Sequence, residues 1–118
     1  MNVNIKRAYE APSSEDGVRV LVDRLWPRGV SKDEARIDHW LKDLAPSTPL
    51  RKWFGHDEGR WEEFVTRYAH EIDAHGEEFD RLSKLVEEGT VTLVYAARDE
   101  THNNAVVLRN ILQNRHSS

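Results

Sequence analysis

Val91-Thr92-Leu93-Val94-Tyr95-Ala96-Ala97-Arg98-Asp99-Glu100-Thr101-His102-Asn103-Asn104-Ala105-Val106-Val107-Leu108 is the stretch on which the fold turns. It reads as a buried strand running through a short polar loop into a helix. In open α/β sheets the carboxyl end of such a strand and the amino end of the following helix form the usual ligand crevice. The loop offers Arg98, Thr101, His102, Asn103 and Asn104, but no nucleophilic cysteine and no phosphate-binding glycine motif. A site is located there without a reaction being named.

Working outward, residues 4–10 read as a strand and residues 11–17 as a turn-rich connection ending in Asp16-Gly17. Residues 18–23 are β-branched and apolar on both faces at their centre, as in an interior strand. The connector between these strands is too short for a helical crossover, so they form a hairpin or are not neighbours. A mixed sheet is expected. Pro27 and Gly29 end the second strand. Ser31 and Glu34 match a capping box, and Ile37, Trp40, Leu41 and Leu44 then fall on one face of an expected helix closed by Ala45-Pro46.

Ser47 caps a short helix through Phe54, with Pro49 in its first turn and Gly55 just beyond. Asp57 caps the next, on which Trp61, Phe64, Val65, Tyr68 and Ile72 repeat at helical spacing. Gly76 interrupts it, Phe79, Leu82, Leu85 and Val86 continue the pattern, and Gly89 stands where a carboxyl-terminal cap belongs. Trp40 and Trp61 are assigned to the core, and residues 113–118 to a frayed end. Residues 1–118 therefore read as a single layered α/β domain, a small mixed, largely parallel sheet flanked by helices, with the last strand beside the second.

Composition narrows the chemistry. The 118 residues suit one core, with 38% hydrophobic and 32% charged residues describing a globular protein. No apolar run of about 18 residues exists to span a membrane, and residues 1–7 lack the apolar core of a signal peptide. A cytoplasmic protein is expected. Cysteine is absent, which removes disulfides, thiolate metal sites and thiol nucleophiles together. The net charge of −4 is uneven: residues 1–56 hold ten Lys/Arg against eight Asp/Glu, and residues 57–118 seven against thirteen. A pI near 5.8 argues against general nucleic-acid binding, which needs a basic face, but leaves room for a local anion pocket.

If the two interior strands are parallel neighbours, residues 23–29 and 98–104 meet on one edge of the sheet. Arg24, Arg28 and Arg98 then surround the amino terminus of the last helix, a combination suited to phosphate or carboxylate. The plainer reading pairs Asp23 with an arginine and makes Asp99 a helix cap. His102 is the acid–base candidate, because an imidazole near a helix amino terminus is biased toward its neutral form. The alternative is a capping or solvent-facing histidine. Asn103 and Asn104 either orient a ligand or satisfy the first helical turn. Trp26 lies between arginines in a loop, placed to wall a pocket or stack on a planar ligand. In Arg51-Lys52-Trp53-Phe54-Gly55-His56-Asp57, His56 is a second proton-transfer candidate, against a role packing on a tryptophan.

No metal site is expected. His70 and His75 are five apart on a helix and point in different directions, and His70-Glu71-Ile72-Asp73 does not make a His-Glu-x-x-His motif. A pool of His39, His56 and His102 with Asp23 or Asp38 has no supporting spacing. The acidic residues between Glu58 and Asp80 read as the solvated side of the long helices.

Taken together, Lys6-Arg7, residues 16–29 with their Asp-Arg-Leu-Trp-Pro-Arg-Gly, Trp40-Leu41, residues 45–47, residues 50–56, Trp61, Phe64, Tyr68 and His102-Asn103-Asn104-Ala105 resemble the YeaO-like branch of the DUF488 family over nearly the whole chain. The resemblance implies a small bacterial or archaeal cytoplasmic α/β protein and imports no activity or cofactor. Longer relatives in the wider family carry Cys-His-Arg after the corresponding last strand. Thr101-His102-Asn103-Asn104 stand there in this chain, so a thiolate mechanism does not carry over. Neither a helix-turn-helix with a basic recognition helix nor a glycine-rich methyl-donor loop is present.

Two functional expectations follow. In the first, the chain is an enzyme or binding protein for a small anionic metabolite, with Arg24, Arg28 and Arg98 on the anion, Trp26 and Trp53 lining the pocket, and His102 and His56 transferring protons. In the second, it is a noncatalytic module whose exposed Trp26, Arg28, Arg51, Trp53 and His56 contact a protein or single-stranded nucleic acid.

Overall fold

The computed structural model describes residues 2–116. Four strands, β1 (Val3–Arg7), β2 (Val18–Leu21), β3 (His39–Trp40) and β4 (Val91–Tyr95), form one sheet in the order β1-β4-β2-β3. Every pairing is parallel, so the sheet is not mixed. The expected neighbours are neighbours: β2 lies beside β4, with Val20 opposite Leu93 and Leu21 opposite Val94. Of the two alternatives for β1 and β2, the structure takes the second, with β4 between them.

A parallel return without a helix is affordable here because β1 is short. Residues 8–17 reach roughly 33 Å when extended, against about 17 Å for a five-residue strand and about 10 Å for two strand spacings. The return is pinned by a 3-10 turn over Ser14–Asp16, where Ser13 and Asp16 form a capping box. Gly17 then adopts φ 64, and a Cβ there would stand 2.2 Å from the Thr90 carbonyl oxygen, so only glycine lets the chain approach β4.

The strands alternate between two apolar layers. Val20, Val22, Leu93 and Tyr95 face a core built with Phe54, Phe64, Tyr68, Ile72, Phe79, Leu82, Leu108 and Leu112. These come from α2 (Thr48–Phe54), α3 (Trp61–Ala74), α4 (Gly76–Glu88) and α5 (Asn104–His116). Leu21 and Val94 point to the opposite face and pack with Ala8, Trp26, Ile37 and Trp40. β4 is buried along its whole length, as a central strand covered on both faces should be. No helix among the described residues is long and apolar enough to cross a membrane.

Several local expectations hold. Ser47 accepts the Leu50 amide at the start of α2 and Gly55 ends it at φ 52. Asp57 caps a 3-10 turn leading into α3, and the helical run breaks at His75, one residue before the expected Gly76, which instead opens α4. Gly89 ends α4 in extended backbone rather than in the left-handed form a glycine cap usually takes. The first strand stops at Arg7, before the expected boundary, and α5 continues through His116 rather than fraying from residue 113. Residues 117 and 118 lie outside the described residues.

The helix expected over residues 31–46 does not form. The Ser31–Glu34 capping box forms, but its helix α1 (Lys32–Ala35) lasts a single turn and ends at Arg36 with φ 48. The expected helical face at Ile37, Trp40, Leu41 and Leu44 is instead edge strand β3 followed by a 3-10 turn over Lys42–Leu44. Tertiary bonds outcompete local periodicity there. Asp38 exchanges backbone and side-chain bonds with Arg19, Leu41 donates its amide to the Leu21 carbonyl, and the Trp40 indole donates to the Asp23 carbonyl at 2.8 Å.

Candidate functional site

Because β2 and β4 are parallel neighbours, their carboxyl ends open onto one edge of the sheet. The chain after each strand is tied to the other there. Asp23 accepts the Ala96 amide at 2.9 Å and the Asn104 side-chain amide at 3.0 Å, and Asn104 also donates to the Val22 carbonyl at 2.8 Å. Asp23 is thus a clasp between the loops rather than an arginine's partner. Burial pushes its carboxyl above the usual range, opposed by the Asn104 and Ala96 hydrogen bonds and by the charge of Arg51.

Beside the clasp lies a cleft of about 270 Å³ lined by Asp23, Arg24, Arg51, Phe54, His56, Phe64, His102, Asn103 and Asn104, with Ala45, Pro46, Ala96 and Ala97 completing its wall. Its floor is apolar. The Arg24 guanidinium reaches the Ala45 carbonyl at 3.4 Å, and its Nε is buried without a hydrogen-bond partner. Arg51 stands three residues before Phe54 on α2, so both project to the same side of that helix. His56 follows the Gly55 cap and itself holds φ 58, a left-handed conformation uncommon outside glycine, which turns it back toward Phe54 at 5.9 Å between rings.

Asn103, 3% exposed, accepts the Val106 amide at 3.0 Å and donates to the Asp99 carbonyl. It is the cap of α5, and it occupies an amide that an anion would otherwise contact. Asp99 stabilises the loop ahead of it, accepting the Thr101 and His102 amides. These bonds, the Thr101 amide first, bring its carboxyl down to about 2 against the opposing effect of its partial burial. His102 places Nδ1 3.1 Å from Asp99 Oδ2 and 2.9 Å from the Thr101 hydroxyl, with its ring edge-on to Trp61 at 5.1 Å. An ionised carboxylate only accepts, so Nδ1 carries the proton in this arrangement. Glu58 lies close by: one ligand atom from each of Glu58, Asp99 and His102 falls within 4.8 Å of the others. Their sequence separation follows no metal motif, which is why spacing alone pointed to no metal site.

Five of the nine residues singled out from the sequence, Arg24, His56, His102, Asn103 and Asn104, line the cleft. The other four lie elsewhere. Trp26 turns to the opposite face of the sheet, stacking edge-on with Trp40 at 5.4 Å and donating its indole N–H to the Val30 carbonyl. Arg28 follows it outward, where its carbonyl accepts from the Tyr9 hydroxyl. Trp53, one residue before Phe54, points about 100° away around the helix and is covered by Arg60 and Arg67. Arg98 is exposed and does not line the cleft. Sequence reasoning gave no cleft role to Arg51, and only its plainer alternative engaged Asp23, as an arginine's ion-pair partner. The helical offset between Arg51 and Phe54 was the available signal for the first.

The sequence profile of a family described as "Inactive DUF488-N3 subclade" matches residues 2–118. The chain is 40% identical over 113 residues to "Uncharacterized protein YeaO" of Escherichia coli (strain K12), covering 96% of this chain and 98% of that one. It is 42% identical over 113 residues to "Uncharacterized protein Rv3073c" of Mycobacterium tuberculosis (strain ATCC 25618 / H37Rv) and to "Uncharacterized protein Mb3100c" of Mycobacterium bovis, covering 96% of this chain and 95% of each. No solved structure matches.

Proposed function

From the premise that the chain belongs to the inactive DUF488-N3 subclade, we propose that it is a noncatalytic binding protein for a small organic anion bearing a carboxylate or phosphate. The observation that carries this reading is the convergence of Arg24 and Arg51 on one cleft with an apolar floor of Phe54 and Phe64. The guanidinium groups supply charge-assisted donors, the rings accept the apolar body, and His56, His102 and Asn104 offer polar contacts at the wall. At about 270 Å³ the cleft falls below the roughly 300–1,000 Å³ of most ligand sites, which suits a metabolite of few heavy atoms.

Two features support binding over turnover. Among the described residues lining the cleft there is no serine, threonine, lysine or cysteine to serve as nucleophile. The second is that the subclade to which the chain belongs is itself described as inactive. An interaction surface of exposed tryptophan and arginine is the weaker reading, since Trp26 packs on Trp40 and Trp53 lies under two arginines.

Thermal unfolding with inorganic phosphate, sulfate and succinate tests the proposal. A binding anion should raise the melting temperature saturably, by the equivalent of about 2.7 kcal/mol at a hundredfold excess over its dissociation constant. Arg51→Ala, an exposed position, should weaken that anion by about tenfold or more, the value of a charged hydrogen bond. A shift that R51A leaves intact, or no shift from any of the three, overturns the reading.

A further inference from the structure

We infer that Glu58, Asp99 and His102 form a binding site for one divalent transition-metal ion at the lip of the cleft. The inference goes beyond the anion reading: the two share His102, while Glu58 and Asp99 belong to the metal site and do not line the cleft. Its first support is geometry. Two ligands bonded at 2.0–2.2 Å to one tetrahedral cation stand about 3.4 Å apart, and His102 Nδ1 already stands 3.1 Å from Asp99 Oδ2. Glu58, from the turn ahead of α3, brings an oxygen within 4.8 Å of both groups.

The second support is how the ligands are held. Asp99 is fixed by the Thr101 and His102 amides, and the His102 ring is steadied by the edge of Trp61. Neither the loop nor the ring must reorganise, which lowers the cost of binding. The third is charge. Glu58 and Asp99 bring two carboxylates together, and among the described residues no lysine or arginine is ion-paired with either. A cation between His102 and Asp99 relieves that repulsion, and the imidazole proton passes from Nδ1 to Nε2, which leaves the ring neutral and Nδ1 free to bind. One imidazole nitrogen with two carboxylate oxygens selects zinc, cobalt or nickel over magnesium and calcium, which take all-oxygen sets.

Cobalt(II) is the probe, because its visible absorption reports nitrogen and oxygen coordination directly. Titrated into the full chain in a buffer free of phosphate, sulfate and carboxylates, it should saturate at one ion per chain and quench Trp61, which lies against His102. Glu58→Gln changes an exposed side chain and should weaken cobalt by at least about tenfold, the least that removing even an outer-shell partner costs. His102→Ala should abolish it, and His70→Ala, on the outer side of α3, should not change it. Sulfate binding by E58Q should match wild type, so the two readings fail separately. No saturable absorption, or binding that E58Q and H102A leave unchanged, overturns the inference.

Discussion

Asn in place of Asp16 should be among the most damaging single changes in this protein, although it alters one atom. Asp16 and Arg19 are buried, with side chains 9% and 4% exposed and 2.7 Å between Oδ2 and Nη1. The carboxylate also takes the Ser13 amide at 2.9 Å and Lys6 at 3.2 Å, while Arg19 Nε donates to the Ala35 carbonyl and its Nη2 is buried without a partner. Removing the negative charge leaves a guanidinium in the interior, a loss of about 3–5 kcal/mol. At roughly 3–6 °C per kcal/mol for a domain of this size, the melting temperature should drop by more than about 10 °C. Denaturant unfolding followed by tryptophan fluorescence measures it. The double variant Asp16→Asn with Arg19→Met removes both charges and should recover much of the loss. A D16N cost under about 1 kcal/mol, the value of an exposed pair, would refute the reasoning, as would additive costs in the double variant. Acid supplies an independent check. Burial pushes the Asp16 carboxyl up, but the Ser13 amide, Lys6 and Arg19 together bring it below 3.8. A depressed folded-state value stabilises above the unfolded one and is lost as pH falls through it, so this contribution should disappear below pH 3.8 in wild type and be missing in D16N.

Gly17→Ala should cost more than about 2 kcal/mol, since it combines φ 64 with a Cβ 2.2 Å from the Thr90 oxygen; Gly29→Ala, at φ 79 with open space around it, should cost only the conformational term of about 1–2 kcal/mol, and equal losses by chemical denaturation would remove the steric argument. Asp23 should make anion binding pH-dependent, because burial raises its carboxyl above 3.8 and its ionisation places a negative charge in the same cleft as Arg24 and Arg51. Sulfate affinity, measured calorimetrically across the mildly acidic range, should fall as pH rises through that raised value, and a flat profile would separate Asp23 from the ligand.

The candidate site was half legible for a topological reason. The two polar loops were visible from the strands they follow, but which of their residues face the cleft depends on where the chain turns after each strand. Past Asp23 it crosses to the other face of the sheet, carrying Trp26 and Arg28 away, because Trp26 finds Trp40 and Ile37 there. Arg24 stays. On α2 a single residue step separates the cleft-lining Phe54 from Trp53, and the same rotation brings Arg51 in.

What the sequence determined by itself were the features whose energy is local. The Ser47, Ser31 and Asp57 caps, the Gly55 stop and the break beside Gly76 each depend on neighbours within a few residues, and each forms. Tertiary structure decided the rest. The apolar spacing of Ile37, Trp40, Leu41 and Leu44 satisfies a helix, yet the segment is a strand because Arg19 and Leu21 offer it a sheet edge and Asp23 accepts the Trp40 indole. The parallel return of β1 to β2 depends on β4, more than seventy residues later in the chain, taking the place between them. The meeting of Glu58 with Asp99 and His102 likewise joins residues about forty apart. Contacts of that range leave no periodicity in the sequence, because they are set by which surfaces pack after the elements have formed.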